Sequence, residues 1–201
     1  MSEADAVARP RRADAQRNFE RILAAARSAV VERGGDVVLE DVARDAGVGI
    51  GTLYRHFPTR QALLEATFLD EARELRARAE VLAGDICAFD ALVSWLRLQV
   101  DFGLHGHSMG AAVLSAKHDT GSEIQVACSA SRMAGNVLLR RAQDAGEVRA
   151  GVEIDDVLRL IHALVLVNGT SPDLAQVERM FDLVIAGIRA RPGGALGRTA
   201  R

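Results

Sequence analysis

Apolar residues return every three or four positions along most of this chain, and that spacing predicts helices almost throughout. Phe19, Ile22, Leu23, Ala26 and Val30 define a first helix, with Asp14 as its N-cap and Gly34-Gly35 as its stop. Two short segments follow. Leu39 to Ala46 ends at Gly47, and Ile50 to Phe57 ends at Pro58, whose ring disfavours helical geometry in the residue before it. Helices of about two turns are too short to be stable alone, so these need a tertiary partner. Thr59 then caps a long helix reaching about Gly84, with Leu63, Leu64, Phe68, Ala72 and Leu75 on its apolar face and Glu71, Arg73, Glu74, Arg76 and Arg78 on its charged one.

Beyond it the pattern predicts an apolar helix from Ile86 to Phe102, a glycine-broken stretch from Gly103 to Gly110, and a short helix near Ala111 to His118. A long helix from Ser122 to Ala145 follows, with Gly146 as its C-cap. The last pair, Asp155 to Val167 and Pro172 to Arg189, is separated by Asn168-Gly169-Thr170-Ser171. No strand-like alternation of useful length and no internal repeat interrupts the series. The expected fold is therefore all-α, with about nine helices between mobile ends at Met1–Pro10 and Arg191–Arg201.

Composition narrows the class. At 201 residues and 49% hydrophobic content, the chain can bury the core of one large domain or of a small one joined to a medium one. It has no run of eighteen uncharged apolar residues, and Met-Ser-Glu-Ala-Asp is neither the basic start nor the apolar stretch of a signal peptide, so a cytoplasmic location without a membrane partner is expected. Cys87 and Cys128 lack C-x-x-C spacing and sit in apolar-periodic segments, which predicts buried thiols. A net charge of −2 argues at first against nucleic acid. Its distribution weakens that objection: up to Arg60 ten arginines stand against nine acids, while the remainder has fifteen basic residues against eighteen acidic ones.

The segment Leu39 to Arg60 carries the candidate chemistry. Val42, Ala43 and Ala46 are small or apolar, so a second helix can cross closely over them, and Gly47 supplies the positive φ that a tight interhelical turn needs. Leu53 and Phe57 share one face of that second helix and bury inward, which leaves Ile50, Thr52, Tyr54, Arg55 and His56 at least partly exposed. An aromatic hydroxyl, a guanidinium, an imidazole and a threonine hydroxyl on one face suit a major groove, with Gly49 and Gly51 allowing close backbone approach. Tyr54 as a packing aromatic and His56 as an ordinary surface histidine are the competing readings. Arg60 adds an independent argument. A cation in the first turn of a helix opposes the macrodipole at a cost of roughly 0.3 to 1 kcal/mol, which a phosphate offsets.

The run Ala43, Ala46, Gly47, Val48, Gly51, Thr52, Leu53, Tyr54, His56 and Phe57, followed by Pro58, Thr59, Arg60 and Leu63, resembles the signature of the TetR family of one-component regulators. The resemblance covers roughly residues 14 to 65. It implies a flexible basic arm at 1–13, a helix-turn-helix DNA-binding domain at 14–58, a regulatory domain for ligand binding and dimerisation at 59–190, and a flexible tail at 191–201. It also implies repression of a palindromic operator by a homodimer that a small-molecule effector releases. Carried over by position, Ile50, Gly51, Tyr54 and Arg55 are base contacts, Thr52, His56 and Arg60 are phosphate contacts, and Arg9, Arg11 and Arg12 form an arm suited to a minor groove, with a plain disordered tail as the equal alternative. Two departures stand out. Val38 replaces a Thr or Ser that caps the second helix in many relatives, and Gly49 replaces a common Ser, at costs of about 1 kcal/mol and a few tenths.

In the second half, Leu174, Val177, Phe181, Val184 and Ile188 recur at alternating three and four spacing, and the preceding helix, with Val157, Ile161 and Leu164, is apolar nearly all round. Together they read as each subunit's share of a four-helix dimer interface, with core packing inside one chain as the alternative. Trp95, Phe102, Met109, Met133, Asn136 and His162 are the candidate lining of an effector pocket, although each singly is more often core. His105, His107 and His118 lack carboxylates or cysteines at ligand spacing, so neither a metal nor a cofactor is expected. No nucleophile motif, phosphate loop or paired carboxylates point to an enzyme. The alternative function is a helical small-molecule-binding protein or enzyme whose helix-turn-helix is incidental.

Overall fold

A computed structural model of the chain describes residues 3–33, 36–85, 87–108, 121–168 and 173–190. These form eight helices: α1 Glu3–Arg33, α2 Leu39–Asp45, α3 Ile50–His56, α4 Arg60–Leu82, α5 Ala88–Ser108, α6 Glu123–Asp144, α7 Ile154–Asn168 and α8 Leu174–Ile188. Among the described residues there is no strand beyond an isolated bridge between Val148 and Arg189, so the all-α expectation holds. The expected short helix at 111–118, the Gly34-Gly35 stop and the 191–201 tail lie outside the described residues.

Caps fix the longer helices where the sequence places them. Thr59 Oγ1 accepts from the Ala62 N–H at 3.0 Å to start α4, and Ser122 Oγ accepts from Gln125 at 3.1 Å to start α6. Asp173 accepts from both Ala175 and Gln176 to cap α8, which starts at Leu174, two positions after the expected Pro172. Gly146, at φ +73°, follows α6 in the left-handed conformation that ends helices. Two boundaries differ from expectation. Helix α1 begins at Glu3, so Asp14 lies within it and ion-pairs with Arg17 instead of capping. Helix α5 runs through Gly103 and Gly106 to Ser108. At Gly103 the missing Cβ has a packing reason: one placed there would stand 2.8 Å from a Val165 methyl, so α7 can approach the α5 backbone closely.

Two hydrophobic clusters divide the interior, and α4 belongs to both. Ile22, Leu23 and Ala26 of α1, Val42 of α2 and Leu53 of α3 pack with Leu63, Leu64 and Phe68 of α4. Phe102 joins this cluster, its ring centroid 4.5 Å from that of Phe68. The second cluster begins at Ala79 and gathers Leu92, Trp95 and Leu96 of α5, Leu138 and Leu139 of α6, Ile161 and Leu164 of α7, and Phe181 of α8. Trp95 links the two: it is fully buried, its indole N–H donates to the Leu75 carbonyl at 3.0 Å, and its ring packs against Gly135, where a Cβ would sit 2.1 Å from Cη2. Cys87 and Cys128 form no disulfide, and Cys87 is exposed and Cys128 half-buried, against the expectation of two buried thiols.

Candidate nucleic-acid interface

The α2–α3 unit forms as its residues dictate. Gly47 takes φ +62°, the Val48 N–H donates to the Ala43 carbonyl at 2.9 Å, and the chain reverses into α3. The Gly47 carbonyl accepts from Arg21 of α1 at 3.3 Å, which ties the turn to the first helix. Neither Val38 nor Gly49 gives a side-chain cap, as their side chains require. Leu53 is fully buried and Phe57 nearly so, with Phe57 stacked on Phe19 of α1 at 5.3 Å between ring centroids. That inward anchoring fixes which residues of α3 look out.

Outward are Ile50, Gly51, Tyr54 and Arg55, with the Tyr54 ring 45% exposed. No neighbour lies within 4 Å of where a Cβ would stand on Gly49 or Gly51, so the start of α3 is open to close approach. Arg55 folds back along its own helix, Nε donating to the Gly51 carbonyl at 3.1 Å and Nη2 to Thr52 Oγ1 at 3.4 Å. The phosphate candidates flank this face. Thr52 and His56 are half-buried, and His56 lies edge-on to Phe19 at 6.0 Å. Arg60 leads α4, whose first turn holds no acid, and among the described residues it makes a 3.5 Å ion pair with the fully exposed Asp36. Exposed pairs of this kind contribute little, so Arg60 can turn to a phosphate at small cost. The backbone of Arg9, Arg11 and Arg12 is on the first turns of α1; their side chains lie outside the described part of the structure.

The expected effector-pocket residues do not gather at one place. Phe102 lines a cavity of about 510 Å³ bounded by α1, α4 and α5, but Trp95 is sealed in the core and Met133 is 60% exposed on the outer face of α6. Asn136 and His162 are half-buried away from the cavity, and Met109 lies outside the described residues. A side chain that sequence reasoning placed on a charged, solvated face is instead central: Glu71 is only 8% exposed. Arg27 of α1 reaches Asp70, Glu74 at 3.0 Å and Glu71 at 3.9 Å, locking α1 to α4 at the cavity's edge. Burial raises the Glu71 carboxyl to a pKa of about 7, with Asp70 and Glu74 pushing the same way and Arg27 opposing. Asp41, held by Arg33 and Arg44, moves the other way, below the usual carboxylate range.

The expected dimer seam also needs correction. Val157, Ile161, Leu164, Val177, Phe181 and Ile188 are buried within the single chain, so they serve α7–α8 and α5 packing rather than a partner. Val184 is half-buried against the same core, and Leu174 alone of the set is exposed. A different stripe faces out: Leu160, Ala163 and Val167 on α7, with Leu183 and Ala186 on α8, Leu183 at 73% exposure. Both helices carry apolar residues on two faces, so the sequence pattern holds the outer stripe as well as the inner one.

Comparison with known proteins agrees with this architecture. Residues 22–67 match the family model of bacterial regulatory proteins of the tetR family, and residues 88–190 match that of the SbtR-like transcriptional regulator C-terminal domain. The chain is similar to the HTH-type transcriptional regulator UidR of Escherichia coli (strain K12), at 30% identity over 200 residues, covering 91% of this chain and 95% of that protein. It is also similar to the solved TetR transcriptional regulator SCO0520 from Streptomyces coelicolor, at 34% identity and a TM-score of 0.74, covering 87% of this chain and 99% of that one. A TetR transcription regulatory protein from Mycobacterium vanbaalenii matches at 31% identity and a TM-score of 0.69, covering 89% and 99%.

Proposed function

Because this chain belongs to the TetR family of DNA-binding transcriptional regulators, we propose that it is a repressor that binds a palindromic operator as a homodimer and leaves it when a small molecule enters the cavity between α1, α4 and α5. The observation that carries the DNA-reading part is the outward face of α3, where Ile50, Gly51, Tyr54 and Arg55 stand on a base anchored by Leu53 and Phe57. Tyr54 and Arg55 read base edges, and Thr52, His56 and Arg60 hold phosphates; Arg9, Arg11 and Arg12, carried on helix α1 and not on an extended arm, have no route into a minor groove. The stripe Leu160, Ala163, Val167, Leu183 and Ala186 meets its two-fold copy, with the small residues letting the helices approach. To read a palindromic operator, that dimer must hold its two copies of α3 one helical turn of DNA apart, about 34 to 36 Å, or a multiple of it.

Transcriptional regulators are generally not enzymes, and we read this chain as acting by binding alone, in the cytoplasm. Among the described residues no helix is long and apolar enough to cross a membrane. The test is a gel shift with the DNA upstream of the protein's own gene. Specific retardation is expected, with log K falling against log salt at a slope of about −5 if six phosphates are neutralised per dimer. Binding no tighter than to random DNA would remove the reading.

A further inference from the structure

The wall of the 510 Å³ cavity is chemically lopsided. Its floor is apolar, formed by Leu75, Leu98 and Phe102, and its polar edge is dominated by carboxylates. Glu71 and Glu74 line it from α4 and Asp101 from α5, against the guanidinium groups of Arg27 and Arg78. Asp70, beside the lining, also engages Arg27, so one guanidinium is shared among Asp70, Glu71 and Glu74. Arg78 sits 3.7 Å from Glu74 and is largely exposed. Among the described residues, Asp70, Glu71 and Glu74 outnumber Arg27 and Arg78 at this edge.

Resting on the effector reading above, we propose that this cavity takes an amphipathic organic cation, its apolar body against Leu75, Leu98 and Phe102 and its charge beside Glu71 and Glu74, in competition with Arg27. An anionic amphiphile would place its charge against that carboxylate edge, and a neutral apolar molecule would gain from the floor alone. The buried position of Glu71 strengthens the case above pH 7, where its carboxyl is ionised, because a carboxylate in apolar surroundings gains more from an approaching cation than one in water does. The competition also supplies a route to the DNA-reading end. Arg27 is a tie between α1 and α4, and α1 holds α3 through the Phe19–Phe57 stack. A cation that takes over Glu74 and Glu71 loosens that tie and lets α1, with α3 behind it, shift relative to the sensing half.

The experiment is calorimetric titration of the full chain, without DNA, using tetraphenylphosphonium and tetraphenylborate, ions of nearly the same shape and opposite charge. The phosphonium is expected to bind at least about tenfold more tightly than the borate. Glu74→Gln, at a half-exposed position, should weaken the phosphonium several-fold, and Arg27→Gln, which frees the carboxylates, should strengthen it. Circular dichroism confirms that each variant is folded, and Glu71→Gln repeats the test from the buried side. Equal or tighter borate binding, no phosphonium binding, or indifference to both substitutions would overturn the proposal. These outcomes are separable from failure of the regulator reading, which the upstream-DNA gel shift decides. A protein that retards that DNA yet prefers the borate keeps the regulator assignment and loses this one.

Discussion

Replacing Glu71 by glutamine should make this protein more stable at neutral and alkaline pH, although it removes an ion-pair partner of Arg27. The carboxyl has a pKa of about 7 in the folded chain against an ordinary value of 4.5, with desolvation as the leading cause. Because the folded pKa is raised, the folded state holds the proton more firmly than the unfolded chain between those values, and stability falls as pH rises through that window. The shift corresponds to about 3 kcal/mol, fully absent below the unfolded pKa and fully expressed above the folded one. Glutamine keeps the shape and the hydrogen-bonding capacity without the charge. Wild type and Glu71→Gln should thus be nearly equal in stability at pH 4.5, with the variant ahead by about 2 to 3 kcal/mol at pH 8. In a protein of this size that is a rise in Tm of about 4 to 12 °C. Urea unfolding followed by circular dichroism across the pH range, at one fixed protein concentration, measures the difference. A variant less stable than wild type at pH 8 would mean that the Arg27 attraction outweighs the cost of burial, and the account of this site given above would be wrong.

Three other expectations concern different parts of the molecule. Gly135→Ala drives a methyl into the fully buried and hydrogen-bonded Trp95 ring, so the overpacking cost of up to about 3 kcal/mol should exceed the helix-propensity gain of about 1; Trp95→Phe in the same chain should recover part of the loss, and additivity of the two in a double-mutant cycle would count against direct contact. Tyr54→Ala should weaken operator binding by about 1 to 3 kcal/mol with little effect on random DNA, whereas Arg60→Ala should weaken both alike; competition assays separate the two, and equal losses for Tyr54→Ala would refute its role as a reader. Leu183→Arg puts a charge on the exposed apolar stripe of α7 and α8 and should give a folded monomer by sedimentation, with operator affinity reduced at least about tenfold; a variant that remains dimeric would place the subunit contact elsewhere.

The reading head was legible in the amino-acid order because its determinants are local. Gly47 must turn, Leu53 and Phe57 lie four positions apart and bury together, and Thr59 caps the helix that follows, all within a span shorter than α4 itself. Features set by distant partners were not legible. Glu71 lies on the side of α4 whose neighbours read as solvent-facing, and only the docking of Arg27 from α1 makes it interior. A seam spaced three and four along α8 says that a helix packs there without saying whether that helix belongs to the same chain; here Phe181 and Val177 found α5 and α7. Gly103 reads as a helix breaker, yet α5 continues through it because the close approach of Val165 rewards a residue without a side chain. The arginine clusters of α1 gave no sign of where the helix starts, and nothing in the structure explains why it extends past Asp14 to Glu3.

The embedding of α4 in both hydrophobic clusters bears on how sensors could be exchanged among such proteins. A chimaera joined at Pro58 would graft Leu63, Leu64 and Phe68 from a foreign chain onto a helix-turn-helix shaped for different side chains. A splice between Leu75 and Ala79 would instead keep Leu63, Leu64 and Phe68 with the helix-turn-helix they pack against, leaving the Phe68–Phe102 contact, the packing of Ile124 and the Trp95 hydrogen bond to the Leu75 carbonyl to span the join. The modular unit is then the reading head together with the first half of α4.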